Sequence, residues 1–135
     1  ADGFGAEKIW LTGYTAYPPR DDLAKVALGA EKSVPWEHFE NPLEAAEKIK
    51  SLGIKLVGIE QSVRSLNIHE YNWDFPCCFI LGNEVSGVSD ELLNLAEDHV
   101  EIPMFGIKQS LNVSVAGGVI GYEVARVYNS QNGLN

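Results

Sequence analysis

Short apolar runs alternating with helix-spaced segments dominate the pattern of hydrophobic and polar positions along this chain. Glu7-Lys8-Ile9-Trp10-Leu11-Thr12 reads as a short strand, entered from a glycine-rich turn and left through Gly13. Pro18-Pro19-Arg20 predicts a loop, because consecutive prolines cannot continue a strand. Asp21 or Asp22 then caps a short helix over residues 23–28 that stops at Gly29. Val34-Pro35-Trp36 is at best a short edge strand. The best delimited helix follows. Asn41 is its N-cap candidate, Pro42 takes the first helical position, Glu44 lies in the first turn and Gly53 stops it after Leu52. Leu43, Ala46, Ile49 and Lys50 keep helical spacing within it.

Residues 54–59 (IKLVGI) predict a strand, whereas 61–74 have no clear period and read as a loop with a turn or two of helix. The run 75–81 (FPCCFIL) is apolar throughout, which suits a central parallel strand covered on both faces. Ser89 caps a helix reaching about Ala96, with Asp90 and Glu91 favourably placed in its first turn. His99-Val100-Glu101-Ile102 forms a strand closed by Pro103, and residues 112–128 form the last helix. Strands alternating with helices imply an α/β layered fold with a mostly parallel sheet and helices on both faces.

Length and composition narrow this further. At 135 residues and 45% hydrophobic, the chain is expected to form one domain over residues 1–135. No stretch is apolar enough to cross a bilayer, and the N-terminus lacks a basic start and an apolar core, so no secretory signal or membrane partner is expected. The two cysteines, Cys77 and Cys78, are neighbours in an apolar run. They read as reduced, buried thiols, which points to the cytoplasm. No set of ligands for zinc or another metal is visible. The net charge of −9 argues against nucleic acid as a partner of the whole surface, although a local basic patch can still hold phosphates.

In an open α/β sheet, ligands bind at the carboxyl ends of the strands. Two glycine-containing segments stand there: LGNEVSG after the apolar run, and IPMFGIKQSLN after the strand at Val100. Neither is a phosphate-binding P-loop or a dinucleotide fingerprint, and by spacing alone a plain strand-to-helix turn fits as well. Glu84 is either a carboxylate tied to backbone amides or a site residue. Asn112 reads first as an N-cap, with Ser110 equally able to cap. His99 reads as an ordinary histidine rather than a base, and His38 and His69 have no evident partner. The last helix carries Ser114, Gly117, Gly118, Gly121 and Ala125. Interior glycines each cost about 1 kcal/mol relative to alanine, so a backbone from the same fold or a second subunit is expected to pack closely there.

Taken together, FILGNEVSGVSDELLNLAEDHVEIPM followed by SLNVSVAGGVIGYEVAR resembles motifs two and three of the SpoU-type (SPOUT superfamily) RNA ribose 2′-O-methyltransferases, in order and spacing. The likeness is dense over residues 79–126, and ALGAEKSVPW upstream shares the family's look. It implies a parallel α/β sheet whose C-terminal part is tied in a deep trefoil knot, with S-adenosylmethionine (S-adenosyl-L-methionine) held in the knot. It also implies a homodimer through the last helix and RNA, tRNA or rRNA, as substrate. Carried over, Leu81, Gly82, Ile102, Met104 and Leu111 line the cofactor pocket, while Glu84, Asn112 and Ser110 are the polar residues at the catalytic centre. Arg20, Lys108 and Lys8 are the cations expected to hold RNA phosphates.

The family's first motif runs roughly Asn-x-Gly-x-Ile-x-Arg-Thr, and Ala1-Asp2-Gly3-Phe4-Gly5 looks like the sequence just after it. The chain is therefore expected to lack the motif's arginine, which is thought to help activate the ribose hydroxyl, and to be inactive or very slow alone. A non-catalytic RNA-binding or dimerisation module of the same fold, a base-methylating relative and an unrelated nucleotide-binding domain stand as alternatives.

Overall fold

The computed structural model describes residues 1–13, 33–82 and 86–134. The predicted loop at Pro18-Pro19-Arg20 and the predicted helix at 23–28 lie outside the described residues. Strand β1, Ile9–Thr12, pairs in parallel with β2, Trp36–Phe39, so that Ile9 faces Trp36 and Thr12 faces Phe39. The strand expected at Val34 begins two residues later. Pro35 has no N–H for a ladder, but its carbonyl accepts from Ile9 N at 2.9 Å and so starts the pairing. His38 Nε2 lies 3.0 Å from the carbonyl of Gly13, a partner that the sequence did not reveal.

Helix α1, Pro42–Ser51, is set by the signals anticipated for it. Asn41 Oδ1 accepts from Leu43 N at 2.9 Å, and Gly53 takes the left-handed conformation (φ 76°) just beyond the C-cap Leu52. Its buried face is Ala45, Ala46 and Ile49. Lys50, which keeps the helical spacing anticipated for it, reaches out to donate to the carbonyl of Leu95.

Four parallel strands make the main sheet: β3 (Lys55–Ile59), β4 (Leu66–Asn67), β5 (Cys77–Ile80) and β6 (Asp98–Glu101), in the order β4-β6-β3-β5. Helix α2, Asp90–Leu95, is capped by the Ser89 hydroxyl, and α3 spans Val113–Gln131. Two expectations are corrected. The segment 61–74 contributes β4, whose Leu66 and Asn67 pair with Val100 and Glu101. The apolar run at 75–81 supplies β5, but among the described residues this strand pairs only with β3, at the sheet's edge rather than its centre.

The reason is that an unbroken apolar run reports two covered faces, not two paired edges. Cys77 and Phe79 join a cluster with Val57, Trp73, Val100 and Ile120 of α3. Cys78 and Ile80 join the opposite cluster with Ile49 of α1, Leu56 and Ala96. Helices thus cover both faces of the sheet, as expected. Complete burial of side chains such as Leu56, Trp73 and Ile120 contributes about 1.5–3 kcal/mol each. Burial also pushes the thiols up, Cys77 to about 11 and Cys78 to about 12, and both are free.

The amino ends of the strands carry a polar cluster. Lys55 Nζ, on β3, lies 2.9 Å from Asp98 and 3.1 Å from Asp74, while the Tyr71 hydroxyl donates to Asp98 at 2.6 Å. Tyr71 also meets Trp73 edge-on, ring centroids 4.8 Å apart. His99 is buried and bonded on both ring nitrogens, to the Leu93 carbonyl at 2.9 Å and the Ser62 hydroxyl at 3.1 Å, an ordinary core histidine. Among the described residues no helix is long and apolar enough to cross a membrane.

Candidate functional site

Because β3, β5 and β6 are parallel, their carboxyl ends emerge along one edge, delivering Glu60, Leu81-Gly82 and Ile102 to the same place. A cavity of about 290 Å³ opens there. All five residues assigned to the cofactor, Leu81, Gly82, Ile102, Met104 and Leu111, line it, and so does Ser110. The two turns that the sequence pattern singled out therefore meet. The first turn of α3 closes the floor with Val113 and Ala116.

Backbone contact shapes one wall. A Cβ on Gly82 would fall 2.2 Å from the carbonyl carbon of Gly87 and 2.3 Å from the nitrogen of Val88, so the limbs of this turn touch main chain to main chain. Gly87 has φ 69° and faces the Glu60 carboxylate. That carboxylate ties β3 to the turn: Oε2 accepts from Val88 N at 3.0 Å and Oε1 from Gln61 N at 3.1 Å.

Asn112 stands just outside the lining, as the N-cap of α3, its Oδ1 accepting from the Ser114 amide. Glu84 and Arg20 lie outside the described residues. Lys108 is exposed on the 102–110 segment beside the cavity, in company with Phe105 and Ile107, whose side chains are almost wholly in solvent. Lys8 sits instead on β2's neighbour side of the fold. Its Nζ is 2.9 Å from Glu37 and 4.1 Å above the Trp10 ring, and with Lys48 it holds the Glu37 carboxyl below its ordinary range. Its charge already has local partners.

Sequence reasoning passed over Glu60 and Glu101, both of which line the cavity. Each stands at the carboxyl end of a parallel strand, which is the one signal that marks them. The close packing expected along the last helix is also resolved in part: Gly121 faces the Phe4 ring, at 2.3 Å from a notional Cβ, and Gly117 faces Leu81. Gly118 faces open space, between exposed Val115, Val119 and Tyr122.

The model of the SpoU rRNA methylase family matches residues 1–122. Among curated proteins, the chain is 39% identical over 101 residues to the tRNA (guanosine(18)-2′-O)-methyltransferase of Aquifex aeolicus, covering 75% of this chain and 48% of that protein. It is 33% identical over 104 residues to the enzyme of the same name from Escherichia coli K12, covering 77% and 45%. The chain thus spans about half the length of the curated relatives it matches. Among solved structures, the A. aeolicus TrmH/SpoU tRNA modifying enzyme superposes with TM-score 0.85 at 31% identity, covering 97% of this chain and 66% of that one. The SpoU methyltransferase AviRb from Streptomyces viridochromogenes, solved in complex with the cofactor AdoMet, superposes with TM-score 0.84 at 26% identity, covering 96% and 53%.

Proposed function

As the chain belongs to the SpoU rRNA methylase family, we propose that it binds S-adenosylmethionine and serves methyl transfer to a ribose 2′-hydroxyl of tRNA or rRNA. Residues 1–135 act as a single methyltransferase domain whose C-terminal portion is tied in a deep trefoil knot. The observation that carries this reading is the convergence of Leu81, Gly82, Ile102, Met104 and Leu111 on one cavity.

The lining suits the cofactor. At about 290 Å³ it is close to the lower end, roughly 300 Å³, of ordinary ligand pockets, and it mixes apolar side chains with polar ones such as Gln61, Gln109 and Ser110. S-adenosylmethionine supplies an electrophilic sulfonium methyl. The apolar side chains of Leu81, Ile102, Met104 and Leu111 exclude water and hold an aromatic base, while the turn around Gly82 presents backbone donors and acceptors. A ribose hydroxyl is a weak nucleophile, so placement in line with the methyl carries much of the rate. Asn112, Ser110 and Glu84 organise that placement, and a basic group accepts the departing proton.

Lys108, beside the cavity, holds RNA phosphates together with Arg20, and Lys8 contributes less because Glu37 and Trp10 already engage it. The protein acts in the cytoplasm, where Cys77 and Cys78 stay reduced. It pairs as a homodimer through α3, whose exposed stripe of Val115, Val119 and Tyr122, with half-buried Gly118 between them, follows helical spacing.

The test is to incubate the full protein with methyl-labelled S-adenosylmethionine and tRNA or rRNA transcripts, then hydrolyse the RNA with alkali. Label recovered in alkali-resistant dinucleotides is the expected result. Label on a base, or RNA binding with no transfer, would overturn the ribose assignment.

A further inference from the structure

Two carboxylates line the cavity, and among the described residues no cation lines it beside them. Of the described residues that line it, Glu60 and Glu101 are acidic and none is Lys, Arg or His. Glu60 is fixed in place by the amides of Val88 and Gln61. Those two bonds use about half of the four acceptor positions that a carboxylate offers. The Glu101 carbonyl accepts from Ile68 N, but its carboxylate makes no hydrogen bond or ion pair among the described residues, so its charge is not spent on them. The remaining walls mix apolar side chains such as Leu81, Ile102 and Met104 with polar ones such as Gln61, Gln109 and Ser110, and a carboxylate close to a ligand there is screened less than in bulk water.

We propose that Glu60, seconded by Glu101, makes this cavity select the cationic methyl donor over its uncharged demethylated product. The inference rests on the cofactor reading above. S-adenosylmethionine carries a sulfonium, an ammonium and a carboxylate, and so is a net cation. In the transfer, the methyl carbon bonds to the ribose oxygen while the carbon–sulfur electron pair stays on sulfur, and the hydroxyl proton passes to a basic group and from it to solvent. The product, S-adenosylhomocysteine, has a neutral thioether and no net charge. An anionic cavity therefore holds the reactant more tightly than the product and favours exchange after each turnover. Glu60 is a specificity-determining residue in this scheme, and it also positions the Gly87 turn.

The experiment compares the wild-type full protein with Glu60→Gln and Glu101→Gln by titration calorimetry. The probes are S-adenosylmethionine, sinefungin (which carries an amine cation where the sulfonium stands) and S-adenosylhomocysteine. Gln keeps the shape and one oxygen able to accept from Val88 N, which preserves the tie to the turn and gives up only the bond from Gln61 N, while the charge is removed. The expected result for Glu60→Gln is a loss of about tenfold or more in affinity for both cationic ligands, with the neutral one held within about twofold. Glu101→Gln shifts the ratio the same way by less. Equal losses for all three ligands would mean that Glu60 only supports the turn, and unchanged affinities would mean that its charge is not felt; either overturns the inference. If Glu60→Gln fails to fold, Glu101→Gln decides: a loss confined to the cationic ligands supports the proposal, and a uniform loss or none overturns it. A wild-type protein that binds none of the three would sink the cofactor reading itself, a result distinct from these.

Discussion

Asn112 Oδ1 accepts two hydrogen bonds from Ser114, one from its amide at 2.9 Å and one from its hydroxyl at 2.6 Å. The residue that the family resemblance marks for the catalytic centre is thus also the cap that starts α3. Stability and activity are separable here. Asn112→Ala should cost about 1 kcal/mol, a fall of a few degrees in Tm, together with the loss of methyl transfer. Asn112→Asp keeps the accepting oxygen and should hold its Tm while still losing transfer. Thermal melting beside the labelled-methyl assay checks both, and an active Asn112→Asp would remove Asn112 from the site.

Gly82 offers a sharper steric test. Its notional Cβ collides with main-chain atoms of Gly87 and Val88, which cannot swing aside as a side chain can. Gly82→Ala should open the turn, destabilise the protein by about 1–3 kcal/mol and abolish binding of S-adenosylmethionine. Gly106→Ala, with nothing within 4 Å of its notional Cβ, should change stability by no more than about 0.5 kcal/mol. Denaturant titration and calorimetry distinguish the two variants.

These sites differ in how far the sequence revealed them. The helix at Asn41-Pro42 and its stop at Gly53 were readable because capping chemistry is local. The cavity was readable as two loops, because glycine turns after apolar strands leave a pattern within a few residues of each other. Strand β4 was not, since two residues have no period and their pairing with Val100 and Glu101 lies over thirty positions away. The edge position of β5 was equally hidden: alternate covering of Cys77 and Cys78 by opposite clusters looks the same in sequence whether one edge is paired or two. Glu60 carried no motif, and only strand direction shows that it meets Val88. Phe4 against Gly121 joins the two ends of the chain, beyond the reach of any window.

The polar cluster on the amino ends of β3 and β6 sets a pH profile. The Tyr71 hydroxyl, and then Lys55, hold the Asp98 carboxyl below its ordinary value of 3.8. Stability from Asp98 is therefore present above pH 4 or so and lost as pH falls through its depressed native value. Tyr71 is pushed up to about 12, first by burial and then by its bond to Asp98. Its contribution is present below its ordinary pKa of 10.0 and lost as pH rises from there towards about 12. Lys55, raised above 10.5 chiefly by Asp98, adds to the same alkaline limb. Denaturant titrations across pH should show both limbs, and Asp98→Asn should flatten the acid one; an unaltered acid limb in that variant would refute the assignment.

Cys77 and Cys78 should react slowly with iodoacetamide at pH 8 in the folded protein and rapidly in urea. Burial raises both thiols to about 11 and about 12, so little thiolate is present. Mass spectrometry of labelled peptides over time measures the ratio. Fast native labelling would show that β5 is less covered than its packing implies.

Lys108 is exposed on the segment bordering the cavity. Lys108→Ala should weaken RNA binding uniformly across sequences and lower the slope of log K against log salt by about 1. Lys8→Ala should change that slope less, since its ammonium is engaged by Glu37 and Trp10. Filter binding over a salt series compares them, and a slope unaffected by Lys108→Ala would place the phosphate contacts elsewhere.

The clamp of Lys55, Tyr71 and Asp98 occupies the end of the sheet opposite the cavity. The clamp and the cavity are consequently set at opposite poles of the same strands, with the apolar layers of the sheet as insulation between them. A protein so arranged can be toughened from one pole without dulling the other, and a screen for heat-tolerant variants that still turn over would do best to begin there.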